Sequence, residues 1–144
     1  MSGLYANEGM NVIMRGCSIE EFQVQGVVAS FADISCDDLQ VVGCGQSGVW
    51  AVHSTITLSG QGTTIQGNGT KGKSSYYGLQ AYYSSTIHLV HPLTKEEIST
   101  NNGGGRNWGG PGTIKQVDND GVVLQILYEE EEEESSEESS EGGY

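Results

Sequence analysis

The sequence predicts an all-β solenoid, a single-stranded parallel β-helix of about four coils with three short strands per coil, closed by a C-terminal β-hairpin cap and followed by a disordered acidic tail. Three observations predict it. The tetrad Gly-[Leu/Val]-x-Ala occurs four times, as Gly3-Leu4-Tyr5-Ala6, Gly26-Val27-Val28-Ala29, Gly48-Val49-Trp50-Ala51 and Gly78-Leu79-Gln80-Ala81. Its glycines are 23, 22 and 30 residues apart, a period at which self-similarity marks stacked repeats. No helix-period apolar stripe runs through the chain, so its short apolar segments have to be covered by one another.

Each tetrad is the first strand of a coil, with Leu or Val and Ala facing one way and the middle residue facing the other. The second strand carries an apolar pair, Val12-x-Met14, Ile34-x-Cys36, Ile56-x-Leu58 and Ile87-x-Leu89. The third carries one apolar residue, at Ile19, Val41, Ile65 and Ile98, and three residues beyond it stand Phe22, Cys44, Asn68 and Asn101. A strand of three to five residues cannot bury its apolar face alone. Stacking at about 4.8 Å per coil places Leu4, Val27, Val49 and Leu79 in one interior ladder and Val12, Ile34, Ile56 and Ile87 in another. Ala6, Ala29, Ala51 and Ala81 suit a crowded interior corner. Asn68 and Asn101 suit the turn after the third strand, since Asn tolerates left-handed geometry and can bond to the neighbouring coil.

The tetrad, the apolar pair, the later Ile and the turn Asn together resemble the right-handed parallel β-helix repeat of the pectin-lyase-like superfamily. The ending, with Ile87-His88-Leu89, the stretch Asn101-Asn102-Gly103-Gly104-Gly105, then Gly112-Thr113-Ile114 and an acidic tail, is similar to the C-terminal part of β-helix repeat proteins of algae and large viruses. The resemblance covers roughly residues 3 to 128. It implies the fold strongly and an activity weakly, because lyases, hydrolases, epimerases and inert repeats share this frame.

The chain divides into coils with a glycine-rich end (1–112), a capping hairpin (113–128) and a Glu/Ser-rich tail (129–144). In the hairpin, Thr113–Val117 and Val122–Leu127 flank the turn Asp118-Asn119-Asp120-Gly121. Nothing before Gly3 resembles a solenoid cap, which predicts that the first coil is covered by upstream coils of a longer β-helix or by another chain. The tail contains nine of the 19 acidic residues. Such a run repels itself and cannot form a core. The remaining ten acidic residues face six basic ones, so the body carries about −4 of the net −13.

Composition and motif spacing limit the functional classes. Nucleic-acid binding needs clustered Lys and Arg, and the two arginines, Arg15 and Arg106, are far apart. No apolar run approaches the roughly 20 residues of a bilayer helix. Polygalacturonase-like chemistry needs several converging carboxylates with basic partners; Asp37-Asp38 is the only adjacent aspartate pair and reads as a turn. His53, His88 and His91 lack metal-ligand spacing, and Cys17, Cys36 and Cys44 form neither a CxxC pair nor a disulfide framework. No catalytic residue, metal ligand or cofactor is therefore expected.

The candidate binding surface is the outer face of the first sheet. Tyr5, Val28, Trp50 and Gln80 stack there as one row and Asn7, Ser30, Val52 and Tyr82 as the next, with Tyr76, Tyr77 and Tyr83 around the start of the fourth coil. Tyr5, Trp50, Tyr76, Tyr77 and Tyr82 are the candidate site residues, suited to a glycan or a protein partner. Longer loops, Gly67–Tyr77 and Val90–Glu97, enter the later coils, and Asn68-Gly69-Thr70 is a glycosylation triplet. The expected function is a non-catalytic β-helix repeat module that acts as a structural or interaction surface. The alternative is a carbohydrate-binding or carbohydrate-active β-helix whose active site lies on upstream coils.

Overall fold

The structure, a computed structural model, describes residues 3–73, 75–103 and 106–130. Three strands make each of the first three coils. They are β1 (Leu4–Asn7), β2 (Asn11–Arg15) and β3 (Ser18–Glu20); β4 (Val27–Ser30), β5 (Asp33–Asp37) and β6 (Gln40–Val42); β7 (Val49–Val52), β8 (Thr55–Ser59) and β9 (Thr64–Gln66). The fourth coil has β10 (Tyr77–Ala81), β11 (Thr86–Val90), a one-turn helix α1 (Lys95–Ile98) and β12 (Ser99–Thr100). A partial fifth turn, β13 (Arg106–Gly109) and β14 (Thr113–Val117), leads into a returning strand, β15 (Val123–Glu129). The first sheet is ordered β1-β4-β7-β10-β13, the second β15-β14-β11-β8-β5-β2 and the third β12-β9-β6-β3.

All pairings are parallel except β14 with β15. The predicted ladders form in register: Leu4, Val27, Val49 and Leu79 are consecutive partners, as are Val12, Ile34, Ile56 and Ile87. Away from the first coil these residues are fully enclosed, and Ala6, Ala29, Ala51 and Ala81 have no exposed surface. Full burial of a Val, Leu or Ile contributes about 1.5–3 kcal/mol, and in this chain each coil obtains it only from its neighbours.

Three corners close each coil, and left-handed residues recur at each. The first corner uses Glu8, Phe31, His53 and Ser84, the second Gly16, Asp38 and Gly60, and the third Glu21, Gly43, Gly67 and Asn101. A backbone that enters this region once per corner turns sharply while its strands stay in register. Immediately after the third corner come Phe22, Cys44, Asn68 and Asn102. The expected ladder partner of Asn68 was Asn101; the structure shows it to be Asn102, and Asn101 is the corner residue. The cause is a one-residue shift, because α1 takes up Ile98 and Ser99 occupies the position opposite Ile65. That helix interrupts a stretch read from sequence as a loop; a single turn is too short to show a 3.6-residue period. Asn68 itself has no exposed surface, so the folded chain does not offer it as a glycosylation acceptor.

The four expected coils are extended by the fifth turn. Arg106–Gly109, within the stretch read as a glycine-rich end, pairs with β10 so that Trp108 stands opposite Leu79. Trp108 thus takes the leucine position of the tetrad and packs against the core together with Leu127 and Tyr128. Lys95 Nζ lies 4.6 Å above the Trp108 ring and 2.7 Å from Glu96, a cation over an aromatic face. Tyr128 donates its hydroxyl hydrogen to the Gly110 carbonyl (2.7 Å). The hairpin is present, but β14 is also the fifth rung of the second sheet, in register with β11. The acidic tail from residue 131 onward lies outside the described residues.

Candidate functional site

A groove of about 680 Å³ runs across the outer face of the first sheet. Its floor follows from strand alternation: Tyr5, Val28, Trp50 and Gln80 are consecutive register partners whose side chains point away from the core. Tyr5 remains 57% exposed on the edge strand, whereas Val28, between Tyr5 and Trp50, is 3% exposed although it faces outward. A valine so covered on an outer face is enclosed by side chains of the neighbouring coils and turns. Trp50 and Tyr82 meet edge to face at 6.3 Å, and Tyr82 and Tyr83 at 4.7 Å.

One wall of the groove is built by the segments that return from the third sheet to the first. Gln25, Gln46, Ser75 and Tyr76 line it. The backbone of these segments stacks coil on coil through Gln46 N to Val24 O and Gly69 N to Gln46 O. Gly45 has to be glycine, since a Cβ there would lie 2.2 Å from the Gln23 carbonyl oxygen. The opposite side carries Ser30, Val52 and Tyr82. Buried Ser47 accepts a hydrogen bond from Tyr77 N (3.0 Å) and donates to Gln80 Oε1. This holds the Gln80 amide by its oxygen and leaves Nε2 as the donor it can offer the groove.

The structure brings four of the five candidate residues, Tyr5, Trp50, Tyr76 and Tyr82, to this one groove. Tyr77 is placed elsewhere. Its ring lies on Gly109 of β13, where a Cβ would come within 2.3 Å of it. Sequence reasoning missed Gln25 and Gln46. The available signal was their position just before the tetrad glycines Gly26 and Gly48, which puts them at the same corner as Tyr76 before Gly78.

Among the described residues, no Asp, Glu, His, Lys or Arg lines the groove. The aspartate pair lies away from it at the second corner, where Asp37 Oδ1 accepts from Ser59 Oγ (3.1 Å) and Asp38 Oδ1 from Gly62 N (2.8 Å), both in the next coil. His53 stacks on Phe31 at 4.7 Å on the first corner. His88 lies on the outer face of the second sheet, its pKa pushed below the ordinary imidazole value by burial and by Lys115 on the next strand. Among the described residues, no three His, Cys, Asp or Glu side chains are grouped so as to hold a metal ion. The cysteines are free thiols, and burial pushes Cys36 up to about 12.

The fold and groove define a β-solenoid that presents a lined aromatic surface. Comparison with protein-family models, with curated proteins and with solved structures finds no match to this chain.

Proposed function

We propose that the chain is a non-catalytic β-helix repeat module whose first sheet is an interaction face, akin to the pectin-lyase-like superfamily and to the C-terminal part of longer β-helix repeat proteins. The kinship rests on the repeated tetrad and on the asparagine ladder at the third corner. The interaction reading rests on one observation: four aromatic rings, Tyr5, Trp50 and Tyr82 from coils one, three and four and Tyr76 from the turn before the fourth, line a single groove. Concave sites with aromatic walls and a few placed polar groups are where proteins take ligands. Catalysis by a carboxylate pair would need two such groups facing one bond, and among the described residues none lines the groove. The alternative is a carbohydrate-binding or carbohydrate-active β-helix whose active site lies on preceding coils; the aromatic lining of the groove supports its sugar-binding part.

The test is saturable binding of the purified protein to immobilised glycans and peptides, beside a Trp50→Ala, Tyr82→Ala variant shown by circular dichroism to be folded. Binding that disappears in the variant supports the groove as the interaction face. Binding that survives the double substitution, or no binding to either class, overturns it.

A further inference from the structure

We infer that the groove takes an uncharged, extended glycan, seated along the Tyr5–Trp50–Tyr82 side with its hydroxyl groups on the glutamine wall. This rests on the reading of the first sheet as an interaction face and specifies its occupant.

Charge decides between glycan classes. A uronate or sulfated sugar brings a negative charge to each repeating unit, and recognition of it calls for Arg or Lys beside the path of the chain. Among the described residues, the groove lining contains no ionisable side chain other than tyrosine phenols. The body around it carries ten acidic residues against six basic ones before the tail adds nine more. A polyanion would therefore be repelled at long range and unmet at close range.

The polar groups that are present match hydroxyls. Gln25 and Gln46 each set an amide donor beside an amide acceptor, Gln80 adds its Nε2 donor, and Ser30 and Ser75 add hydroxyls. A primary amide can bridge two adjacent sugar hydroxyls, giving to one and accepting from the other. The rings supply the complementary apolar part: the C–H face of a pyranose carries partial positive charge and lies favourably on the negative face of an indole or phenol. Length agrees as well. From the Tyr5 rung to the Gln80 rung is three coil steps, ~14 Å at ~4.8 Å per step, and a step of that size is close to one pyranose unit in an extended chain.

The experiment is isothermal titration calorimetry of the whole chain with cellohexaose, xylohexaose, mannohexaose, laminarihexaose and hexagalacturonate, at 20 mM and 500 mM NaCl. The expected result is binding of at least one neutral hexasaccharide, changing less than twofold with salt, absent for hexagalacturonate, and weakened at least tenfold by Trp50→Ala and by Gln46→Ala. Gln46 is a half-buried wall residue outside any strand, and its variant, checked for folding by circular dichroism, guards against a loss caused by misfolding. Binding of hexagalacturonate alone, suppressed by salt, overturns the uncharged-glycan inference while leaving the groove as an interaction face. Binding of peptides but of no sugar does the same. No groove-dependent binding of any kind overturns both.

Discussion

Asn102 stands one coil beyond Asn68 and repeats its hydrogen bonds. Asn68 Oδ1 accepts from Cys44 N (2.9 Å) while Asn68 Nδ2 donates to Val41 O (3.1 Å); Asn102 Oδ1 accepts from Asn68 N (2.9 Å) while Asn102 Nδ2 donates to Ile65 O (3.1 Å). Asn102 N in turn donates to Asn107 Oδ1 (2.9 Å). At this corner the strands have ended, so the side chains take over the cross-coil bonding that a sheet would otherwise supply.

Asn68→Ala removes both halves of its own step, leaving the buried Cys44 N–H without its side-chain acceptor and the Val41 carbonyl without its side-chain donor. Each such group costs roughly 1–3 kcal/mol, and the expected loss is about 3 kcal/mol in urea unfolding. Asn102→Ala should cost less, because Asn102 is less completely buried. A loss under 1 kcal/mol for Asn68→Ala would show that the ladder does not hold the corner.

Gly48→Ala tests close approach without backbone strain, since Gly48 is not among the residues with positive φ. Its Cβ would lie 2.8 Å from Asn68 Nδ2 and from Ile65 Cγ2 and 2.9 Å from the Gly78 oxygen. Overpacking of this kind costs about 1–3 kcal/mol, and the rigid Gly78 carbonyl places it at the upper end. Gly72→Ala, at φ +81° with nothing within 4 Å, should cost only the conformational strain, about 1 kcal/mol. Equal thermal shifts for the two would contradict the packing account.

Glu21 sits at φ 60° on the third corner, exposed to solvent. Glu21→Gly removes the left-handed penalty of about 1–2 kcal/mol and adds unfolded-state entropy of roughly 0.5–1 kcal/mol. The net expectation is a small rise in stability, a few degrees in Tm. A fall in Tm would mean that the glutamate makes a compensating interaction at that corner.

Cys36 gives a pH dependence with a defined sign. Burial, with a smaller contribution from Cys17, raises its thiol from an ordinary value near 9.0 to about 12 in the folded chain. The folded state holds this proton more tightly than the unfolded state, so the stability it confers is complete below pH 9 and is lost as pH rises towards 12. Cys36→Ala should flatten that fall in a comparison of urea midpoints at pH 8 and pH 10.5. In alkylation with iodoacetamide at pH 8.5, half-buried Cys17 should react first, with Cys36 and Cys44 labelled only after denaturant is added. Prompt labelling of all three thiols in the native chain would contradict their burial.

The ladders were legible because Leu4, Val27, Val49 and Leu79 hold the same place in a repeated tetrad, even where a loop stretches the last interval from 22 to 30 residues, and stacked coils translate a repeated pattern directly into contact. The fourth coil was misread by one residue because α1 inserts between β11 and β12, and pattern alone does not reveal how many residues an insertion returns. The fifth turn was hidden for a related reason. Its strand Arg106-Asn107-Trp108-Gly109 has no Gly-Leu-x-Ala signature, since the terminal coil is covered on one side only and a tryptophan under Lys95 can stand where inner coils require leucine. The rings on the outer face were visible from alternation. The glutamine wall was not, because Gln25 and Gln46 lie outside any strand and are brought together only by the stacking of the turns.

The left-handed corners also make the coil an exchangeable module. Each coil receives its register from the backbone of its neighbour and passes it on, so a duplicate of residues 26–47 placed after residue 47 satisfies the same corners and ladders as the original. Such a duplication would lengthen the groove by one ~4.8 Å step without altering its depth. The length of the groove is thus counted in whole coils and can grow or shrink by recombination of one 22-residue segment, with no redesign of the corners on either side.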